Sequence, residues 1–219
     1  MTSYRAAPLL LLFMFACEQC NEEDGGLTQR GSVANAPVGQ GTLRTEDGVE
    51  VIMPQRREDP PPRPDHGNLV REPDSPDPHG GNFSLEEAVE GLPTDGQLVA
   101  EFNTTFGTFF CDLYAEKTPR TVANFIGLAR GTRAWWDARQ AEWRTAPAFQ
   151  DTQIFRVLPG FLIQGGDYLD DGTGTVGYNL PAEPHPELSH DRPGQLCVAT
   201  TGANEGGAQW FITDGPAPR

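Results

Sequence analysis

Few residues in this chain could do chemistry, and their spacing excludes most reaction types. Two of the four cysteines lie within the first twenty residues, and the others are Cys111, inside an apolar run, and Cys197, between Leu196 and Val198. No CxxC pair and no Cys/His ligand spacing accompanies the latter two, so both read as small buried hydrophobes rather than metal ligands. In an oxidising compartment a Cys111 to Cys197 disulfide is the competing reading. His185 and His190 lie five residues apart in a Pro-containing loop with no third ligand nearby, which favours a loop role. Asp167, Asp170 and Asp171 precede Gly172 without the spacing of an EF-hand calcium loop, and read as a solvated turn. Neither Gly-x-Ser-x-Gly nor His-Glu-x-x-His occurs. What remains is the run Ile154-Phe155-Arg156-Val157-Leu158-Pro159-Gly160-Phe161-Leu162-Ile163-Gln164-Gly165-Gly166-Asp167 and a later one, Gly207-Ala208-Gln209-Trp210-Phe211-Ile212-Thr213. Taken singly, Phe161 and Phe211 would be core aromatics, Arg156 a solvated charge, and Gln164 and Gln209 surface amides.

The elements that must position these residues are legible from residue 96 onward. Leu98, Ala100 and Phe102 alternate with polar neighbours, a turn follows at 104–107, and alternation resumes through Thr108 to Tyr114, which predicts a β-hairpin. Thr118-Pro119 offers an N-cap and an N1 proline, and Val122, Phe125, Ile126 and Ala129 recur at helical spacing until Gly131. A connection rich in tryptophan (Trp135, Trp136, Trp143) reads as packing rather than as a recognition loop. Beyond it, short apolar runs alternate with Gly/Pro/Asp loops, as in mainly β single domains.

The N-terminal part differs in kind. The 219 residues carry 31 acidic and 16 basic side chains, a formal net charge of −15, and are 37% hydrophobic, below the ~45–50% of ordinary globular domains. Such an acidic excess argues against nucleic-acid binding and against acidic headgroups, since phosphates are held by Lys and Arg. Eight of the 20 prolines fall between Pro54 and Pro78. Residues 18–94 therefore read as a disordered, acidic, Pro-rich linker, and residues 95–219 as the folded domain. Before the linker, Arg5, the apolar run Leu9 to Phe15, Ala16 and Cys17 read as an export signal over residues 1–17, too short for a membrane-spanning helix. Cys17 after a small residue is similar to the lipobox of bacterial lipoproteins, and lipidation there would turn the linker into a tether at the cell envelope. Simple secretion is the competitor, and Cys20, preceded by Gln19, is the weaker lipidation candidate.

From Ile154 to Asp167 the chain resembles the Phe-His-Arg-Val/Ile-x-Pro-x-Phe-Met-x-Gln-Gly-Gly-Asp signature of the cyclophilin family of peptidyl-prolyl isomerases. The likeness extends over Tyr114 to Phe125, Gly172-Thr173-Gly174, Gly177-Tyr178, Glu183, His190, Gly194, Leu196, Ala199, Gly202, Asn204 and Gly207 to Thr213, in the family's order. It implies a mainly β fold, a closed antiparallel β-barrel with capping helices and a surface groove beside it. The implied task is to favour the twisted imide, whose rotation barrier is ~18–20 kcal/mol and whose uncatalysed isomerisation takes tens to hundreds of seconds. By correspondence, Arg156 is the catalytic residue, donating a hydrogen bond to the prolyl nitrogen that forms fully only when the bond is twisted. Gln164 holds Arg156 or the substrate backbone. Phe161, Leu162 and Phe211 form the apolar pocket for the proline ring, Phe155 belongs to the groove wall, and Ala199, Thr200 and Gln209 flank the residues preceding proline. No metal or cofactor is required, and a monomer is expected.

Two departures accompany the resemblance. The position commonly His is Phe155, the one before it Ile154 rather than Phe, and Thr200 stands where Asn is common. Family members also continue past the equivalent of Thr213 into further strands and a helix, so the resemblance implies a domain incomplete at the C-terminus, with an exposed ladder edge on its first strand. The leading reading is an envelope prolyl isomerase that assists folding of exported proteins. A catalytically weak or inactive proline-peptide-binding module is the alternative, and a lipid-anchored scaffold the third.

Overall fold

The computed structural model describes residues 67–93, 96–200 and 206–217, together with the backbone of four short segments nearer the N-terminus. Those segments are β1 (Ala16–Cys17), β2 (Cys20–Asn21), β3 (Thr42–Arg44) and β4 (Glu50–Ile52). Asp24–Arg63 forms a compact unit of its own, in which β3 and β4 pair antiparallel. The other unit is Met1–Glu23 with Pro64–Arg219. The predicted export segment and the Cys17 lipidation lie outside the residues whose side chains are described.

The hairpin forms where the alternation places it, with β5 (Val99–Thr104) antiparallel to β6 (Gly107–Asp112) and β2 on the far side of β6. After the helix α2 (Pro119–Arg130) come β7 (Trp135–Asp137) and β8 (Glu142–Arg144), which pair with each other. The remaining strands, β9 (Arg156–Leu158), β10 (Leu162–Gly165), β11 (Leu196–Val198) and β12 (Trp210–Thr213), make an antiparallel sheet in the order β1-β11-β12-β10-β9. Residues two apart on a strand share a face, and both faces of this sheet carry a buried cluster. Ile163, Trp210 and Ile212 pack with Ala100, Phe102, Phe109, Val122 and Ile126 of the hairpin and α2. Phe102 stacks on Phe109 at 4.7 Å between ring centroids and meets Trp210 edge-on at 5.0 Å. The tryptophan connection is packing, as predicted: Trp135 and Trp136 are buried with Leu128, Tyr168, Leu169 and Val176.

Helix α2 begins and ends where the sequence predicts, but not with the predicted cap. The Thr118 hydroxyl donates back to the Tyr114 carbonyl and makes no N-cap bond. The first-turn amides of Arg120 and Thr121 instead donate to the Glu183 carboxylate, which brings a full negative charge to the positive end of the helix. Gly131 ends the helix in the left-handed region at φ 76°.

Residues 67–93, which the sequence reading assigned to the linker, are packed on the domain. A short helix, α1 (Leu85–Val89), opens with a reciprocal capping box between Ser84 and Glu87 and buries Ala88 against the core. Arg130, in the last turn of α2, donates to the carbonyls of Ala88 and Glu90. The segment holds by pairing its backbone and its few charges with partners distant in sequence, which composition does not register. Cys111 is disulfide-bonded, so reading it as a plain buried hydrophobe is corrected. Cys197 keeps its thiol, 3.7 Å from the Gln195 carbonyl, so the Cys111 to Cys197 bridge is not formed.

Candidate active site

The face of the large sheet turned away from the hairpin and α2 gathers the candidate residues. In antiparallel pairs, directly opposed residues point the same way. Gln164 on β10 is opposite Arg156 on β9 and Phe211 on β12, and Phe211 is opposite Cys197 on β11. Leu162, two residues before Gln164, shares that face and is opposite Leu158. One side of four consecutive strands thus presents an arginine, an amide and the apolar residues Leu162, Cys197 and Phe211, which cluster with Leu188 from a loop and have Phe161 and Ala199 packed against them.

The polar part is a directed chain. Arg156 Nη1 donates to Gln164 Oε1 (3.2 Å), Gln164 Nε2 donates to Gln209 Oε1 (3.0 Å), and Gln209 Nε2 donates to the carbonyls of Gly172 (3.1 Å) and Gly174 (3.2 Å). Two carbonyls accept only, so they fix which end of the Gln209 amide faces them. Its oxygen must then face Gln164, which in turn points the Gln164 oxygen at the guanidinium. Arg156 is half-buried, and no described carboxylate forms an ion pair with it, so its remaining N–H donors can serve a ligand.

The loop that supplies the two carbonyls is built around Asp167. Its carboxylate accepts from the amides of Leu169 (2.9 Å), Gly172 (2.6 Å), Gly174 (3.1 Å) and, more weakly, Asp171 (3.4 Å). At 1% exposure Asp167 is not part of a solvated turn, and that expectation is corrected. The acidic cluster reads as solvated in the sequence because its acceptor role depends on loop amides up to seven residues ahead. Asp170 and Asp171 do lie in the turn, accepting from the amides of Gln153 and Thr173.

Arg156, Gln164, Gln209, Phe155, Ala199 and Thr200 line one groove of about 550 Å³, whose opposite wall is Gly172 to Val176 with Tyr178 and Asn179. Phe155 packs its ring edge near Gly172. Thr200 is buried, and among the described residues its hydroxyl has no hydrogen-bond partner. Leu162 and Phe211, 1% and 2% exposed, and the half-buried Phe161 do not line this groove; the first two are a buried floor against which Phe161 packs. His190 is buried beside Phe211, with ring centroids 6.4 Å apart.

Sequence reasoning missed the support of the groove's far wall. Tyr178 donates its hydroxyl to Asn124 Oδ1 (2.7 Å), and Asn124 Nδ2 donates to the Gly207 carbonyl (3.0 Å). Burial pushes the Tyr178 phenol well above its usual range, so it stays protonated as that donor. The signal available was the Gly177-Tyr178 pair and Asn124 on an otherwise apolar helix face. Among the described residues, no three His, Cys, Asp or Glu side chains converge as a metal site.

The geometry defines a class: a mainly β protein with a groove that holds an oriented arginine beside a buried apolar cluster. Comparison with known proteins specifies it. The family of cyclophilin type peptidyl-prolyl cis-trans isomerases matches residues 99–219, and the chain belongs to that family. A probable peptidyl-prolyl cis-trans isomerase A of Mycobacterium leprae is 39% identical over 119 residues, 54% of this chain and 65% of that protein. A peptidyl-prolyl cis-trans isomerase B of Streptomyces anulatus is 40% identical over 120 residues, 55% of this chain and 69% of that protein. The chain thus spans about two thirds of the length of these relatives. A cyclophilin structure from Cryptosporidium parvum superimposes with a TM-score of 0.45 at 26% identity, covering 56% of this chain and 70% of that one.

Proposed function

We propose that this chain is a peptidyl-prolyl cis-trans isomerase that takes proline-containing polypeptides into the Arg156 groove and accelerates rotation about the X-Pro bond. The observation that carries this reading is the directed chain Gly172/Gly174, Gln209, Gln164, Arg156, which presets the guanidinium before any ligand arrives. As the imide twists, the prolyl nitrogen loses conjugation and gains a basic lone pair, and an N–H of Arg156 donates to it. The planar nitrogen of the ground state accepts poorly, so the bond favours the twisted state selectively. Each 1.36 kcal/mol of such selectivity is worth about tenfold in rate. An arginine already oriented has little reorganisation to undergo at that moment.

Phe161, over Leu162 and Phe211, seats the proline ring, while Phe155, Ala199, Thr200 and Gln209 flank the residues preceding it. Anchoring the ring leaves the acyl side free to turn. The substrates are chains outside the cytoplasm, which this protein reaches by the export segment at residues 1–17, with Cys17 as a lipid anchor and the monomer as the working form. The curated relatives, named as isomerases, support the activity.

The deciding measurement is proline-isomer exchange by NMR on a short Pro peptide with the full chain. Accelerated exchange that falls at least about 100-fold in Arg156→Ala supports the enzyme. Binding of the peptide with exchange at its solution rate would replace this reading with a proline-binding module. Mass spectrometry of the exported form tests the anchor, through a lipid adduct on Cys17.

A further inference from the structure

The wall whose carbonyls orient Gln209 is tied twice to the segment 67–93, which lies wholly outside the family match at 99–219. Val70 is fixed first: its amide donates to the Ala138 carbonyl (3.0 Å), and its own carbonyl accepts from Trp136 Nε1 (2.6 Å). That anchorage delivers Arg71, whose Nη1 donates to the Thr173 carbonyl (2.7 Å) and Nη2 to the Thr173 hydroxyl (3.2 Å). Thr173 is the residue between Gly172 and Gly174, the two whose carbonyls receive the Gln209 amide. Arg71 therefore grips the middle of a three-residue stretch whose ends set the orientation of the catalytic chain.

The second tie starts six residues later. Asp77 accepts both outer nitrogens of Arg133, at 2.7 and 2.6 Å, in a bidentate pair. The Arg133 guanidinium lies 4.0 Å from the centre of the Tyr178 ring and is itself almost wholly buried. Tyr178 then reaches Gly207, two residues before Gln209, through Asn124.

We propose that Arg71, with Asp77 behind Tyr178 of the same wall, is a positioning residue of the isomerase groove, so that the segment 67–93 is a working part of the catalytic unit and not a tether. The proposal rests on the groove being the isomerase site. Arg71 touches no reacting atom; it acts by holding Thr173. Without it the two acceptor carbonyls are free to diverge, Gln209 turns, and the Gln164 oxygen no longer holds Arg156. Since Arg156 acts in the twisted state, the loss falls on turnover more than on peptide affinity.

The test uses the full chain carrying Arg71→Ala, an exposed position whose replacement should leave the thermal midpoint within about 2 °C. Isomerisation kcat is expected to fall about 3- to 10-fold with KM within about twofold, and Arg71→Lys, which keeps one donor for the Thr173 carbonyl, to recover part of the loss. A fall in kcat alone could also come from a less stable protein, so the side-chain amide NMR signals of Gln164 and Gln209 are read as well. They should move in the folded Arg71→Ala protein and return towards wild type in Arg71→Lys. Unchanged amide signals, or unchanged kcat, would overturn the proposal. If the wild-type chain fails to accelerate exchange, the isomerase reading fails separately. The amide signals of Gln164 and Gln209 then judge the positioning role, and signals equal to wild type in Arg71→Ala would refute it.

Discussion

Arg156 is the residue a reader of this molecule looks at first, yet Asp167 carries more of the site's geometry. An arginine at the end of a chain of amides points usefully only if each amide is turned the right way, and that choice is made at the carbonyls of Gly172 and Gly174. Asp167 shapes the loop that presents them, taking four amides on one buried carboxylate. Asn at this position would set an NH2 against the amides now served by one of the oxygens. Asp167→Asn is therefore expected to cost about 2–3 kcal/mol in urea unfolding and to lower the proposed isomerase activity, whereas a solvated turn aspartate would tolerate the change. The motif in the sequence marks Asp167 but not its partners, because its acceptor role depends on a loop closing around it.

At the scale of elements, periodicity was enough to find the hairpin and α2, and end chemistry was not. Helical spacing of Val122, Phe125, Ile126 and Ala129 needs only local information, whereas the cap comes from Glu183, more than sixty residues away. The C-terminal end of α2 was legible because glycine is nearly obligatory there. A Cβ at Gly131 would sit 2.5 Å from both the Ala146 carbonyl carbon and the Pro147 nitrogen, in a left-handed conformation. Gly91 is left-handed too, at φ 77°, with nothing within 4 Å of its would-be Cβ. Gly91→Ala should then cost only the backbone term of about 1 kcal/mol, and Gly131→Ala at least about 2 kcal/mol. Equal losses in thermal unfolding would mean that the α2 exit is not as tightly packed as described.

For the molecule as a whole, the consequential difference from the sequence reading is the reach of the domain back to residue 67. Burial tends to raise the Asp77 carboxyl, but the Arg133 guanidinium and the amides of His79 and Gly81 outweigh it and hold the group below the usual carboxylate range. A group with a depressed native pKa stabilises the fold above its unfolded value near 3.8, and that contribution is lost as pH falls through the native value. Stability should therefore drop as the pH is taken below about 4. Asp77→Asn, compared by urea unfolding from neutral to acid pH, should be clearly less stable than wild type at pH 7, with the gap narrowing below about pH 4. A gap independent of pH would show that the carboxylate charge is not what holds this segment.

The amino-acid sequence by itself determined the hairpin, helix α2 and a strand-rich remainder, and it singled out Arg156, Gln164, Gln209, Phe161 and Phe211, because alternation, helical spacing and a run of family motifs are all local patterns. Tertiary structure alone decided that Leu162 and Phe211 serve as a buried floor, that Glu183 caps α2, and that residues 67–93 belong to the domain. The physical reason is the same in each case. Pro- and Asp-rich chain lacks the apolar period that announces burial, and it was ordered here by Trp136, Trp143, Arg133 and Thr173, partners more than fifty residues away that only the closed fold brings near.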